Sequence, residues 1–176
     1  MAKLTARGKA LRWMTRHRNL TEQPPGSNRD NRKDGITAAQ KKLGAWLVGQ
    51  PWCGVWCCNA AMAGGVRPSK PYRWASVALI EDDARAKRNS FRGWTRDPSR
   101  VLRGDLVILF GRGVHVEMVR QVHKPRPWRN YWLIDTDGGN TSAEGQVGSQ
   151  SNGGQSARRR RPMSAVHGFA LVNYPG

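Results

Sequence analysis

The sequence predicts an α+β domain, helices first and an antiparallel sheet after them. Three observations carry this. Apolar residues recur at helical spacing in the first half, and from Leu106 onward the period falls to two. Strands and helices do not alternate in βαβ order. The chain has 176 residues, which suits one domain with a sizeable core. No internal repeat is visible.

Residues 1–20 form a basic segment, expected as a short amphipathic helix or a frayed tail. Residues 21–176 form the single remaining domain. Residues 21–34 read as a loop, because Pro24-Pro25-Gly26-Ser27 breaks any helix. Asp34 is placed to cap the helix expected over 35–48, where Ile36, Ala39, Leu43, Trp46 and Leu47 share a face. Gly49-Gln50-Pro51 ends it. A second helix starts near Pro51, a residue that suits a first turn, and stops at Gly64-Gly65. It is apolar nearly all round and so predicted to be buried. A third helix is expected over 75–87, and 88–103 reads as a loop. Strands over 106–110 and 114–122 make a hairpin around Gly111-Arg112-Gly113. A strand over 131–136 is closed by a turn at Asp137-Gly138-Gly139-Asn140. Residues 145–161 read as a loop or ragged strand pair, with Arg158 to Arg161 solvated. A last strand covers 165–173.

Composition narrows the partners. Thirty Lys and Arg against twelve Asp and Glu give a formal charge of +18. This excludes an ordinary neutral enzyme acting on small cations, and points to nucleic acid, an anionic membrane surface or an anionic polymer such as a bacterial wall. Three cysteines rule out a full disulfide framework. No run reaches the about 18 apolar residues of a membrane span. The N-terminal segment lacks the apolar core of a signal peptide, so synthesis in a cytoplasm without such a signal is expected.

Cys53 lies two residues after Pro51, at the start of the buried helix. Free N–H groups and the helix dipole lower a thiol pKa there, as a neighbouring imidazolium does. Cys57 and Cys58 lie further in and read as small core residues. Among the four histidines, His115 is favoured as the base. It opens a strand beside a tight turn, whereas His17 is in the basic segment, His123 ends a strand and His167 is in the last one. Asp135, Asp137 and Asn140 are the candidates to orient its ring. The cysteines lack C-x₂-C spacing, and neither H-x₃-H nor H-E-x-x-H occurs, so no metal site is expected. No phosphate-binding glycine motif is present either.

Several pieces then fall in one order: Pro25-Gly26-Ser27-Asn28, Gly49-Gln50-Pro51-Trp52-Cys53, Arg103-Gly104-Asp105-Leu106-Val107 leading to His115-Val116, and Gly139-Asn140-Thr141-Ser142. Over about residues 22–174 this resembles the CHAP / NlpC-P60 group of cysteine peptidoglycan hydrolases, most of all the single-domain bacteriophage endolysins. The resemblance implies a papain-like fold, with the Cys at a helix start packed on an antiparallel sheet. It implies Cys53 as nucleophile, His115 as base and Asn140 as the group orienting it. Relatives often carry Glu-Gly-Asn where this chain has Gly138-Gly139-Asn140, which leaves Asp137 as the alternative. The Cys53 N–H is half of an expected oxyanion hole. Gln50, Asn28 and Trp52 are candidates for its other half or for substrate contact.

The function implied is hydrolysis of a peptidoglycan amide bond, by an endopeptidase or an N-acetylmuramoyl-L-alanine amidase, for host lysis. No cofactor is implied. The expected partners are peptidoglycan and anionic wall polymers, approached by a monomer after release from the cell. The rival classes are a basic nucleic-acid-binding module and a non-catalytic wall-binding domain. Against the first, the cations are spread along the chain, and no helix-turn-helix, zinc-finger or RNP pattern appears.

Overall fold

A computed structural model describes residues 4–141 and 154–176. Four α-helices, α1 (Ala6–Arg16), α2 (Ile36–Leu43), α3 (Cys53–Ala63) and α4 (Val77–Arg85), precede all six strands of one sheet. The strands are β1 (Phe91–Thr95), β2 (Leu106–Leu109), β3 (His115–His123), β4 (Leu133–Thr141), β5 (Gln155–Pro162) and β6 (Val166–Val172). Their order is β1-β6-β2-β3-β4-β5, with every neighbouring pair antiparallel. The fold is thus α+β, with local hairpins and one return of β6 between β1 and β2. Among the described residues no helix is long and apolar enough to cross a membrane.

The period-two pattern of β2 shows how the sheet is used. Leu106 and Ile108 join the core beneath the helices, while Val107 and Leu109 join a second cluster on the opposite face with Val119, Ile134 and Phe169. With both faces covered, β2 is buried at every position.

Helix α3 lies in the main core, buried from Cys53 to Ala61, as its apolar circumference predicts. Its start is held tightly. A Cβ at Gly54 would overlap the backbone carbonyl of Trp74, and Trp74 is itself stacked on Phe91. The expected 35–48 helix is broken at Gly44 into α2 and a short 3₁₀ turn over Ala45–Leu47. Asp34 does not cap α2. The N-cap is Gly35, and Asp30 of the preceding loop accepts from the Thr37 N–H of the first turn at 3.0 Å through its Oδ1.

Three segments differ from the sequence expectation. Residues 91–95, expected in a loop, form edge strand β1. The Asp137-Gly138-Gly139-Asn140 turn is absent, because β4 runs through it to Thr141. Both glycines lie under large neighbours. A Cβ at Gly138 would meet Glu117 Cγ at 2.7 Å, and one at Gly139 would press into Trp52 and Trp56. Here glycine marks close approach rather than a turn. Finally, part of 145–161 is regular strand β5, while residues 145–153 lie outside the described residues.

The basic segment 1–20 is built into the fold. Ala10, Leu11 and Met14 of α1 are buried. Trp13 stacks on His17 and meets Trp56 edge-on. Arg7 reaches the buried Asp105 at 3.0 Å. Beyond α1, residues 19–22 run along β5, exchanging backbone hydrogen bonds between Asn19 and Ser156, Ser156 and Leu20, and Glu22 and Gly154.

Candidate active site

The first residue of α3 and the first residue of β3 meet at one end of the sheet. Cys53 starts the helix with Trp52 as its N-cap, so its side chain sits among N–H groups that have no intrahelical partner. His115 starts β3 opposite Leu109 and is fully buried. The strand period then places Glu117 on the same face as His115. Its Oε1 pairs with His115 Nε2 at 3.1 Å. His115 Nδ1 is buried and has no hydrogen-bond partner of ordinary geometry among the described residues. It is the ring nitrogen available to the adjoining Cys53 thiol, whose charge is coupled to the ring.

Glu117 is wholly buried, yet it is surrounded by donors. Arg161 of β5 grips it bidentately, with Nε on Oε2 at 3.0 Å and Nη2 on Oε1. The Thr136 hydroxyl of β4 donates to Oε2 at 2.5 Å. Three neighbouring strands thus converge on one carboxylate. Such a charge is tolerated only because its lone pairs are filled.

These contacts set the charges. Burial would push the Glu117 carboxyl up, but His115 and Arg161 outweigh it and hold it at about 2. Burial would likewise pull the His115 imidazolium down, but Cys53 and Glu117 raise it to about 9. Burial pushes the Cys53 thiol up, and the contact with His115 and the Val116 and Gly54 backbone more than offsets this, so it lies below an ordinary thiol. Cys57 is raised well above one by burial and by neighbouring negative groups. The favoured state of the pair is therefore thiolate and imidazolium, confined to Cys53 and His115.

The site opens into a cleft of about 570 Å³. It is lined by Cys53, Gln50 and Pro51, by Trp46 and Tyr72 at its mouth, and by Val114 and Asn140 on the sheet side. Among the described residues no group of three or more His, Cys, Asp or Glu forms a cage for a metal ion.

The other expected site residues lie as follows. Neither Asn140 nor Asp137 touches His115. Asn140 lines the cleft, but its amide donates to Asn28 Oδ1 at 3.3 Å and accepts from the Gly154 N–H. Asp137 lies opposite Met118, on the helix-facing side of the sheet, where Arg18, Arg120 and Arg158 bind it. The expectation that either orients the base is corrected: Glu117 occupies that position. Trp52 does not reach substrate space either. Its ring is fully buried and its Nε1 donates to Glu22 Oε1 at 2.9 Å. Gln50 is at the cleft, whereas Asn28 reaches it only through Asn140.

The remaining histidines have other partners. His17 Nδ1 binds the Trp13 carbonyl, His123 binds Asp135 and His167 binds Glu81. Asp135 is held by Arg160 as well as His123. The arginine run is not a solvated loop: Arg158, Arg160 and Arg161 each pair with a different carboxylate across β4 or beyond it.

Glu117 was within reach of sequence reasoning, since a carboxylate two residues after a His in a strand shares its face. Arg161 and Thr136 were not, because only the pairing of β4 with β5 and β3 brings them there. No protein-family model, curated protein or solved structure matches this chain. The chemistry of the site rests on its own geometry.

Proposed function

We propose that the chain is a papain-like cysteine hydrolase of the CHAP / NlpC-P60 type that cleaves an amide bond of bacterial peptidoglycan. One observation carries this: a helix-start cysteine coupled to a histidine whose far nitrogen is held by a buried, arginine-locked glutamate, beside an open cleft. This arrangement supports the reading of Cys53 as nucleophile, His115 as base and Glu117 as orienting group, with the cleft as the path of a carbonyl to the sulfur.

The Cys53 thiolate attacks the scissile carbonyl carbon, and the oxygen takes up the negative charge. The Cys53 N–H at the head of α3 is the first donor proposed for that charge, and the Gln50 side chain, which lines the cleft, is the second. As the tetrahedral intermediate collapses, the imidazolium of His115 gives its proton to the leaving amine and a thioester remains. Water then attacks the thioester, His115 takes the water's proton, and the acid product leaves with the thiolate restored. Throughout, Glu117 keeps the ring oriented and its imidazolium form stable.

The charge of +18 suits attachment to anionic wall polymers after release from the cell that makes the protein. Attachment depends on cations other than Arg161, which is engaged at Glu117.

Turbidity of permeabilised Gram-positive or actinobacterial cells tests the proposal. The wild type clears the suspension, while Cys53→Ala and thiol-alkylated protein do not and keep the native melting temperature. Lysis by Cys53→Ala at the wild-type rate refutes cysteine catalysis. Nucleic-acid binding without any lytic activity would favour the rival class instead.

A further inference from the structure

Between β3 and β4 the chain reads Lys124-Pro125-Arg126-Pro127-Trp128-Arg129-Asn130-Tyr131. The two strands pair as far as His123 and Leu133, so this turn lies at the end of β3 far from His115. Trp128 is 77% exposed, more than any other large apolar side chain among the described residues, and Tyr131 is 54% exposed. None of the turn residues lines the cleft beside Cys53.

The turn is held in one shape. The N–H groups of Arg126 and Arg129 each donate to the other's carbonyl at 2.8 Å, closing a tight turn with Pro127 and Trp128 at its tip. The Arg129 guanidinium donates to the Lys124 carbonyl at 2.8 Å and to the Tyr131 carbonyl at 3.3 Å. Pro125 and Pro127 fix two further φ angles. The rings are therefore displayed on an ordered backbone, and little conformational freedom is left to lose when they meet a partner.

Its charge is of one sign. Lys124, Arg126 and Arg129 lie in the turn, and no Asp or Glu occurs from Arg120 to Ile134. The next carboxylate, Asp135, is already held by His123 and Arg160. The Arg126 guanidinium stands 5.5 Å from the Trp128 ring centre, and that of Arg129 stands 5.9 Å from the Tyr131 ring centre. Each ring thus carries a cation beside it.

A wholly polar chain, glycan or nucleic acid, offers a ring on a convex tip one flat contact and no apolar interior. A lipid interface takes in the whole indole, and its headgroup phosphates meet the adjoining guanidinium groups. We propose that the β3–β4 turn docks the protein on a phospholipid bilayer with anionic headgroups, Trp128 entering the interface and Lys124, Arg126 and Arg129 lying among the phosphates. Docking in this way leaves the cleft uncovered, and it does not depend on which bond is cut at Cys53.

The test sediments the full chain with vesicles of mixed phosphatidylglycerol and phosphatidylcholine, and with vesicles of phosphatidylcholine alone. The wild type sediments with the mixed vesicles, and brominated acyl chains quench its tryptophan emission. Trp128→Ala lowers partitioning about tenfold and removes the quenching. Arg126→Gln lowers partitioning about fivefold, on the mixed vesicles only. Trp46→Ala, which removes the other strongly exposed indole, leaves both readings unchanged. Absence of vesicle binding, or binding by Trp128→Ala equal to that of the wild type, overturns the proposal. So does a loss of affinity for purified sacculi or duplex DNA in Trp128→Ala with its vesicle binding intact. Trp128→Ala keeps the wild-type rate on a soluble peptidoglycan fragment, so a failure of docking is distinguished from a failure of the hydrolase.

Discussion

Replacing Glu117 by Gln isolates the role of the buried carboxylate. The amide is close to isosteric and can still meet His115 and Thr136, but it carries no charge. The wild-type imidazolium persists to about pH 9, against 6.5 for an unperturbed His. Each pH unit of that displacement corresponds to about 1.4 kcal/mol, so Cys53 and Glu117 together supply about 3 kcal/mol beyond what burial removes. If Glu117 provides half, its loss lowers the ratio of the thiolate–imidazolium pair to the neutral pair about tenfold at equal geometry. Poorer ring orientation extends the loss in kcat/KM at pH 7 to about 10- to 100-fold.

The sign of the pH effect follows from the protonated base. Activity needs His115 charged, so the alkaline limb falls where the ring loses its proton. In the wild type this limb lies near pH 9, and in Glu117→Gln it moves down toward the ordinary histidine value. The assay is kcat/KM on a soluble peptidoglycan fragment from pH 5 to 10, with thermal melts of both proteins. Some stability is lost, about 1–3 kcal/mol, because Arg161 keeps only a neutral partner. An alkaline limb unmoved from the wild type, with activity within twofold, would refute the assignment of Glu117 as the ring's partner.

Three further outcomes are expected. Brief iodoacetamide treatment at pH 7, followed by peptide mapping, modifies Cys53 and spares Cys57 and Cys58, whose thiols are buried and pushed up; equal labelling would contradict the charge assignment. Gly138→Ala drives a methyl group against Glu117 Cγ, 2.7 Å from the added carbon, so it lowers the alkaline limb as Glu117→Gln does and costs about 1–3 kcal/mol in a melt. Deleting residues 1–20 uncovers the side of Trp56 met by Trp13 and removes Arg7 from Asp105. Asp105 keeps Arg92, but the main core loses Ala10, Leu11 and Met14, so the truncated chain fails to give a cooperative melt, and native-like stability would show α1 to be an appendage.

What the amino-acid sequence determined by itself was the part governed by local chemistry. Proline and glycine punctuation bounded α3, its apolar circumference buried it, and Cys53 fell at its start because Pro51 stands just before. The period-two segments around Gly111-Arg112-Gly113 produced the β2–β3 hairpin, with His115 at the head of its second strand. These features depend on neighbours within a few residues, and such interactions are present in the chain before it folds.

Tertiary structure decided what depends on strand pairing and close packing. Gly138 and Gly139 have turn chemistry on paper, yet they lie in β4 because Glu117 and the Trp52–Trp56 pair leave no room for side chains there. Asp137 and Asn140 were plausible partners for His115 by position, but the register of β4 against β3 turns Asp137 to the helix-facing side and into an arginine cluster. Arg161 stands 44 residues from Glu117, and only the β3-β4-β5 order brings them together. A carboxylate can be buried beside a histidine only where donors fill its remaining lone pairs, and those donors come from two other strands. Pair chemistry was therefore visible in the linear order of Cys53 and His115, while the group that holds the base was set by the sheet.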